Sequence, residues 1–172
     1  MEHAVAFGSR DYFLFLGLLA LGRGMDLLST LVATPNLRLE ANPIMRRLGW
    51  RGSLLVNVVT CLGFALWPLP AVIISTTSLL VAARNFEWAW LMRSMGEEDY
   101  QAFIADRLAV TPRSLVFLSL FGQTFLFALV GLGLVLFSGG QFWGFATGAG
   151  MLGYAGAVFL YSGLSLWRRR RH

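Results

Sequence analysis

Two residues could do chemistry where chemistry is costly: Arg23 and Asp26, set in the apolar run of residues 12–33. An ionisable side chain in hydrocarbon costs about 2.5–3.5 kcal/mol or more, so such groups need partners or a task. Their spacing of three puts both on one helical face with Ser29 and Thr30, where they can neutralise each other or jointly line a polar cavity. A loop follows, carrying Glu40 and Asn42, and further along the apolar runs come Asn57 and Asn85. At 1.5 Å rise per residue, Asp26 lies about 10 Å from the end of its run, Asn57 about 6 Å inside the next, and Asn85 about 8 Å from the same side. The similar depths predict a pocket between the first three helices, with Glu40 and Asn42 beneath it. Three chemistries fit these groups: a structural ion pair with its hydrogen bonds, a site for a small polar or lipid-derived ligand, or an all-oxygen cation site. No metal-specific spacing is present, and Arg23 beside Asp26 favours neutralisation without a metal, so no metal or cofactor is expected.

The elements that must position these residues are membrane helices. The chain has 172 residues, 56% of them hydrophobic and 13% charged, with mean hydropathy +0.64. That leaves too little polar surface to cover a soluble core. The expected class is all-α, a single transmembrane domain of five helices at residues 12–33, 50–67, 70–92, 113–137 and 142–167. Two short amphipathic helices at the membrane surface complete it. In the first, Asn42 caps, Pro43 opens the helix and Gly49 ends it. The second covers about 97–108, with Tyr100, Phe103, Ile104 and Leu108 on one face and Glu97, Glu98, Asp99 and Asp106 towards water. Thr111-Pro112 reads as the cap and first-turn proline of the fourth membrane helix.

Fourteen basic residues, all arginine, give a formal charge of +5, yet they gather at the ends of apolar runs and form no nucleic-acid face. Arg38, Arg46, Arg47 and Arg51, then Arg84, Arg93, Arg107 and Arg113, then Arg168–Arg171 fall on one side, and Arg10 alone on the other. The positive-inside bias therefore places the N-terminus outside and the C-terminus in the cytoplasm, with Arg168–Arg171 as an anchor behind the last helix. The first run is too long and too charged for a signal peptide and is expected to be retained. Cys61, the only cysteine, permits no intrachain disulfide. His3 and His172, the only histidines, exclude an internal bis-histidine haem site and a zinc-protease helix.

In the last apolar run Gly144 and Gly148 form a GxxxG pair continued by Ala149, Gly153 and Ala157. Such a stripe lets a helix approach closely, either within the bundle or in a second chain.

Asp26-Leu27-Leu28-Ser29-Thr30, then Glu40-Ala41-Asn42-Pro43-Ile44-Met45, then Ala83-Arg84-Asn85 carry a resemblance to the DUF5658-type family of small prokaryotic polytopic membrane proteins. It covers residues 11–85, about half the chain. The family often has a lysine where this chain has Asn57, and its pattern accounts neither for Arg23 nor for the last two helices. The resemblance implies a prokaryotic inner-membrane location and the Asp26, Glu40 and Asn42 constellation, but no activity. A shorter stretch, Glu87, Leu91, Gly96-Glu97, Tyr100 and Phe103, is similar to the interfacial helix of isoprenylcysteine methyltransferase-like enzymes. The cofactor-binding portion of those enzymes has no counterpart here.

The expectation is an integral membrane protein that binds or passes a small polar or lipid-derived ligand at an Asp26-centred pocket open to the cytoplasm. The alternative is a non-catalytic accessory subunit of a membrane complex, or a homo-oligomer, docking through the glycine-rich last helix. An enzyme using Asp26 or Glu40 as acid or base lacks a paired nucleophile or cofactor motif.

Overall fold

A computed structural model describes residues 4–40 and 42–169, with side chains through Leu164. His3, Ala41, Trp167, the Arg168–Arg171 anchor and His172 lie outside the residues or side chains described. The described chain is all-α: α1 (Arg10–Ala33), α2 (Pro43–Phe64), α3 (Pro68–Met95), α4 (Glu97–Val110), α5 (Arg113–Phe137) and α6 (Phe142–Arg169), with no strand among the described residues. Four helices, α1, α3, α5 and α6, are long and apolar enough to cross a membrane. The stem of α2 from Trp50 to Phe64, at 1.5 Å per residue, is about 22 Å long and is not among them.

Local chemistry sets the helix ends. Ser9 Oγ accepts the Tyr12 N–H and caps α1, and Asn42 Oδ1 accepts the Ile44 N–H ahead of Pro43 to start α2. Gly49 breaks α2 with φ 64° and ψ −174°, a conformation essentially confined to glycine, so the helical turn of residues 43–48 meets the stem at a kink. Thr111 does not open α5 as its sequence position implies. Its hydroxyl donates to Arg107 O and closes α4, because Pro112 lacks the N–H that would otherwise continue the chain's hydrogen bonding.

The helices form a row. α1 packs most extensively on α3, α3 on α6, and α6 on α5, while α2 lies lightly against α1 and α3. At one end Tyr12, Phe15 and Leu19 of α1 meet Cys61, Ala65, Ala71, Val72 and Ala146 in a buried cluster. There Val5 N donates to Leu66 O and Tyr12 Oη to Leu62 O, tying the N-terminal segment to the turn between α2 and α3. A second cluster, Leu120, Tyr154 and Val158, joins α5 to α6.

Glycines decide how closely the row packs. A Cβ on Gly148 would fall 2.6 Å from Gly131 O of α5, and one on Gly150 2.6 Å from Thr76 Cβ of α3. Gly153 faces Thr77 at 3.2 Å, and Thr77 Oγ1 donates to Gly150 O. The glycine stripe of α6 is thus shared between two neighbours inside the chain. Gly144 sits apart from it, over Ser138 of the hairpin that joins α5 to α6.

Candidate functional site

Arg23 is the hub of a polar seam between α1, α2 and α3. Its Nε donates to Asn57 Oδ1 of α2, and its Nη1 donates to Asp26 Oδ2 at 2.9 Å and to Ser78 Oγ of α3 at 3.1 Å. The Asn57 amide is turned for this role, since its Nδ2 donates 2.7 Å to Ser53 O one turn earlier and leaves the oxygen facing the guanidinium. One planar cation therefore fastens three helices, which a lysine's single point charge could not do in the same geometry. Asn57 and Ser78 are buried, whereas the Arg23 and Asp26 side chains keep 27% and 17% of their surface exposed.

A second tier lies one turn nearer the Glu97 end. Ser29 Oγ donates to Asp26 O at 2.8 Å, and Asn85 Nδ2 of α3 donates to Ser29 Oγ at 3.2 Å and Thr30 Oγ1 at 3.4 Å. Sequence spacing places Asn57 and Asn85 at one depth, but the helices offset them: Asn57 meets Arg23, and Asn85 meets the hydroxyls below it. Ser29 links the tiers through the backbone of Asp26.

Glu40 and Asn42 shape the loop under the seam. Asn42 N donates to Glu40 Oε1 at 2.7 Å, and the Asn42 side chain is committed to capping α2. Asp26 gives one carboxylate oxygen to Arg23, and among the described residues no three His, Cys, Asp or Glu side chains come together to hold a metal.

Glu97 is the residue the sequence reading misplaced. Expected to face water on α4, it is 8% exposed and reaches into the loop between α1 and α2. Its carboxylate accepts from Thr34 Oγ1 at 3.0 Å, Asn36 N at 2.7 Å and Arg38 N at 2.9 Å. Between the two amides sits buried Leu37 at φ 57°, a left-handed conformation that costs a non-glycine residue about 1–2 kcal/mol. That geometry aims the N–H groups on either side of Leu37 at the carboxylate while the Leu37 N–H itself donates to Thr34 O, and it makes an anion-binding nest, which the carboxylate fills. Burial pushes the Glu97 carboxyl up, but the Asn36 and Arg38 amides and the Thr34 hydroxyl outweigh it and hold the group below its ordinary value. Beside it Arg38 pairs with Glu98, and Trp50 Nε1 donates to Pro35 O at 2.8 Å, so α4, the loop and the base of the α2 stem form one connected floor. No side-chain spacing pointed to Glu97, because its partners are mainly backbone N–H groups of a loop about sixty residues away.

No protein-family model matches the chain, and no curated protein or solved structure is significantly similar to it.

Proposed function

We propose that the chain is a five-span protein of a prokaryotic inner membrane that binds or passes a small polar or lipid-derived ligand at the Arg23–Asp26 seam. The observation that carries this reading is the exposure gradient: the two charged side chains are the open part of a seam whose neutral partners, Asn57 and Ser78, are buried. Partial exposure lowers the desolvation cost of the pair, and it also keeps both charges within reach of a ligand. The α2 stem supplies the fifth crossing. Trp50 at its base is tied to Pro35, Leu62 at its top to Tyr12, and Leu54, Leu55, Val58 and Val59 point outward as a lipid-facing surface. Two of the short helices, residues 43–48 and α4, lie at the membrane surface in this arrangement. Arginine distribution puts the N-terminus outside, and with it the seam opens to the cytoplasm above the Glu97 floor. Gly148 and Gly153 of α6 pack against α5 and α3 within the chain, which favours the seam over docking of a partner through that stripe.

The test is the double substitution Arg23→Leu with Asp26→Leu. Removing both charges leaves no unpaired ion, so the double variant is expected to fold in detergent and to recover much of the stability that Asp26→Asn alone removes. It is expected to fail to rescue the growth phenotype of a deletion strain and to lose small molecules that co-purify with the parent in native mass spectrometry. Full rescue by the stable double variant overturns the proposal.

A further inference from the structure

Buried serine and threonine hydroxyls among the described residues find hydrogen-bond partners, some on other helices and some on their own. Ser75 donates to Ala71 O at 2.7 Å and Thr124 to Leu120 O at 2.9 Å, each reaching the carbonyl four residues back. Ser53 is the exception: it is 3% exposed, and among the described residues its Oγ alone is buried with no hydrogen-bond partner. The cause is local. Four residues back stands Gly49, whose ψ of −174° turns its carbonyl out of the helical direction and denies Ser53 the usual acceptor. Leaving a buried hydroxyl unmade costs about 1–3 kcal/mol, and an orphan of this kind calls for an explanation in the site around it.

Ser53 stands on the buried stripe of α2, Ser53, Asn57 and Cys61, the face turned to α1 and α3. Asn57 on the same stripe is already part of the Arg23 network, and its Nδ2 bonds to the carbonyl of Ser53 itself. The orphan hydroxyl therefore borders the seam, one helical turn from Asn57 towards the floor. We infer that Ser53 is a ligand-contacting residue of the Arg23–Asp26 seam, its hydroxyl kept for a small uncharged or zwitterionic hydrogen-bonding group admitted when the α2 stem swings at Gly49. The inference rests on the ligand-binding reading of that seam and adds to it a contact, a ligand class and a route.

The ligand class follows from charge. Arg23 and Asp26 sum to zero, so a ligand with net charge would leave an uncompensated ion in a poorly solvated place, while a neutral or zwitterionic group would not. The route follows from packing. α2 lies lightly on α1 and α3, and its stem joins the rest of the chain at a glycine in a conformation no other residue shares comfortably. In the closed arrangement the Ser53 Oγ is covered, so contact with a ligand requires that motion.

Two measurements test it on the full chain in membranes. In the first, Ser53→Cys in a Cys61→Ala background is treated with the small neutral reagent methyl methanethiosulfonate and with two charged relatives, the cationic methanethiosulfonate ethyltrimethylammonium and the anionic methanethiosulfonate ethylsulfonate. Leu54→Cys serves as the lipid-facing control, and Arg46→Cys as the exposed one. Modification at position 53 by the neutral reagent, slower than at 46 and absent at 54, with both charged reagents at least about tenfold slower at 53, is expected. No modification at 53 by the neutral reagent overturns the route, and a charged reagent that matches or outruns the neutral one overturns the ligand class. In the second, Ser53→Ala is expected to melt at or above the parent temperature, having shed an orphan, and yet to fail to rescue the deletion strain. Rescue by Ser53→Ala alongside failure of the Arg23/Asp26 double variant removes Ser53 from the site and leaves the seam. Rescue by both removes the seam itself.

Discussion

A guanidinium presents five N–H donors in one plane, and Arg23 directs three hydrogen bonds to three helices at once. Removing its counter-charge should be costly. Asp26→Asn leaves the arginine without its anion and is expected to destabilise the protein by about 3–5 kcal/mol, measured as a lower midpoint of denaturant unfolding in detergent. Arg23→Lys keeps the charge but loses the fork to Asn57 and Ser78, with an expected cost of about 2 kcal/mol. Glu97 makes a pH prediction whose sign is fixed by the direction of its shift. Because the folded carboxyl is held below its ordinary value of 4.5, its stabilisation is complete above that pH and is lost as pH falls through the lowered folded value. The protection of the Asn36 and Arg38 amides, as exchange relative to the intrinsic rate at each pH, is therefore expected to stay high at neutral pH and to fall in acid below pH 4.5. Glu97→Gln should lower that protection at every pH, since a neutral amide fills the nest poorly; protection in the parent that ignores acid would contradict the role given to Glu97.

Helices α2 and α6 show what glycine does here as part of an element. Gly49→Ala forces a side chain into a conformation that costs about 1–3 kcal/mol, and the stem is expected to relax by straightening into residues 43–48. Spin labels at Arg46 and Leu55 would then report a narrower spread of distances than in the parent. Gly148→Val must push the carbonyl of Gly131 aside, so separation of α5 from α6 is expected, read as loss of a cysteine crosslink engineered across that pair. Much at this scale was legible in the sequence. The run lengths, the Asn42-Pro43 start, the break at Gly49 and the same-face pairing of Arg23 with Asp26 all rest on local spacing. Less legible was whatever depends on rotation and offset between helices. Spacing could not say that Asn57 meets the guanidinium while Asn85 meets Ser29 and Thr30, nor which α6 glycine faces which neighbour. The Glu97 nest joins residues about sixty positions apart through backbone groups that carry no side-chain signature. Thr111 was misread because one hydroxyl between two helices can serve either, and proline at position 112 decided for the earlier.

For the molecule as a whole, the row of α1, α3, α6 and α5 with α2 alongside implies alternating faces for its turns. Cysteine labelling is expected to reach the Trp67–Pro68 turn from the outside and Gly96 from the cytoplasm; labelling of both from one side would sink the five-span reading. On the membrane-spanning reading proposed above, the same pairing of Arg23 with Asp26 bears on how the chain reaches the bilayer. Both partners belong to α1, which is made before α2 and α3, and they meet at one-turn spacing without waiting for either. Had the carboxylate come from α3, the arginine would have faced the translocon's lateral gate alone, at a cost of about 2.5–3.5 kcal/mol, until some fifty more residues were synthesised. Carrying its own counter-ion, α1 can leave the gate as a neutral segment, and Asn57 and Ser78 join a pair that is already formed.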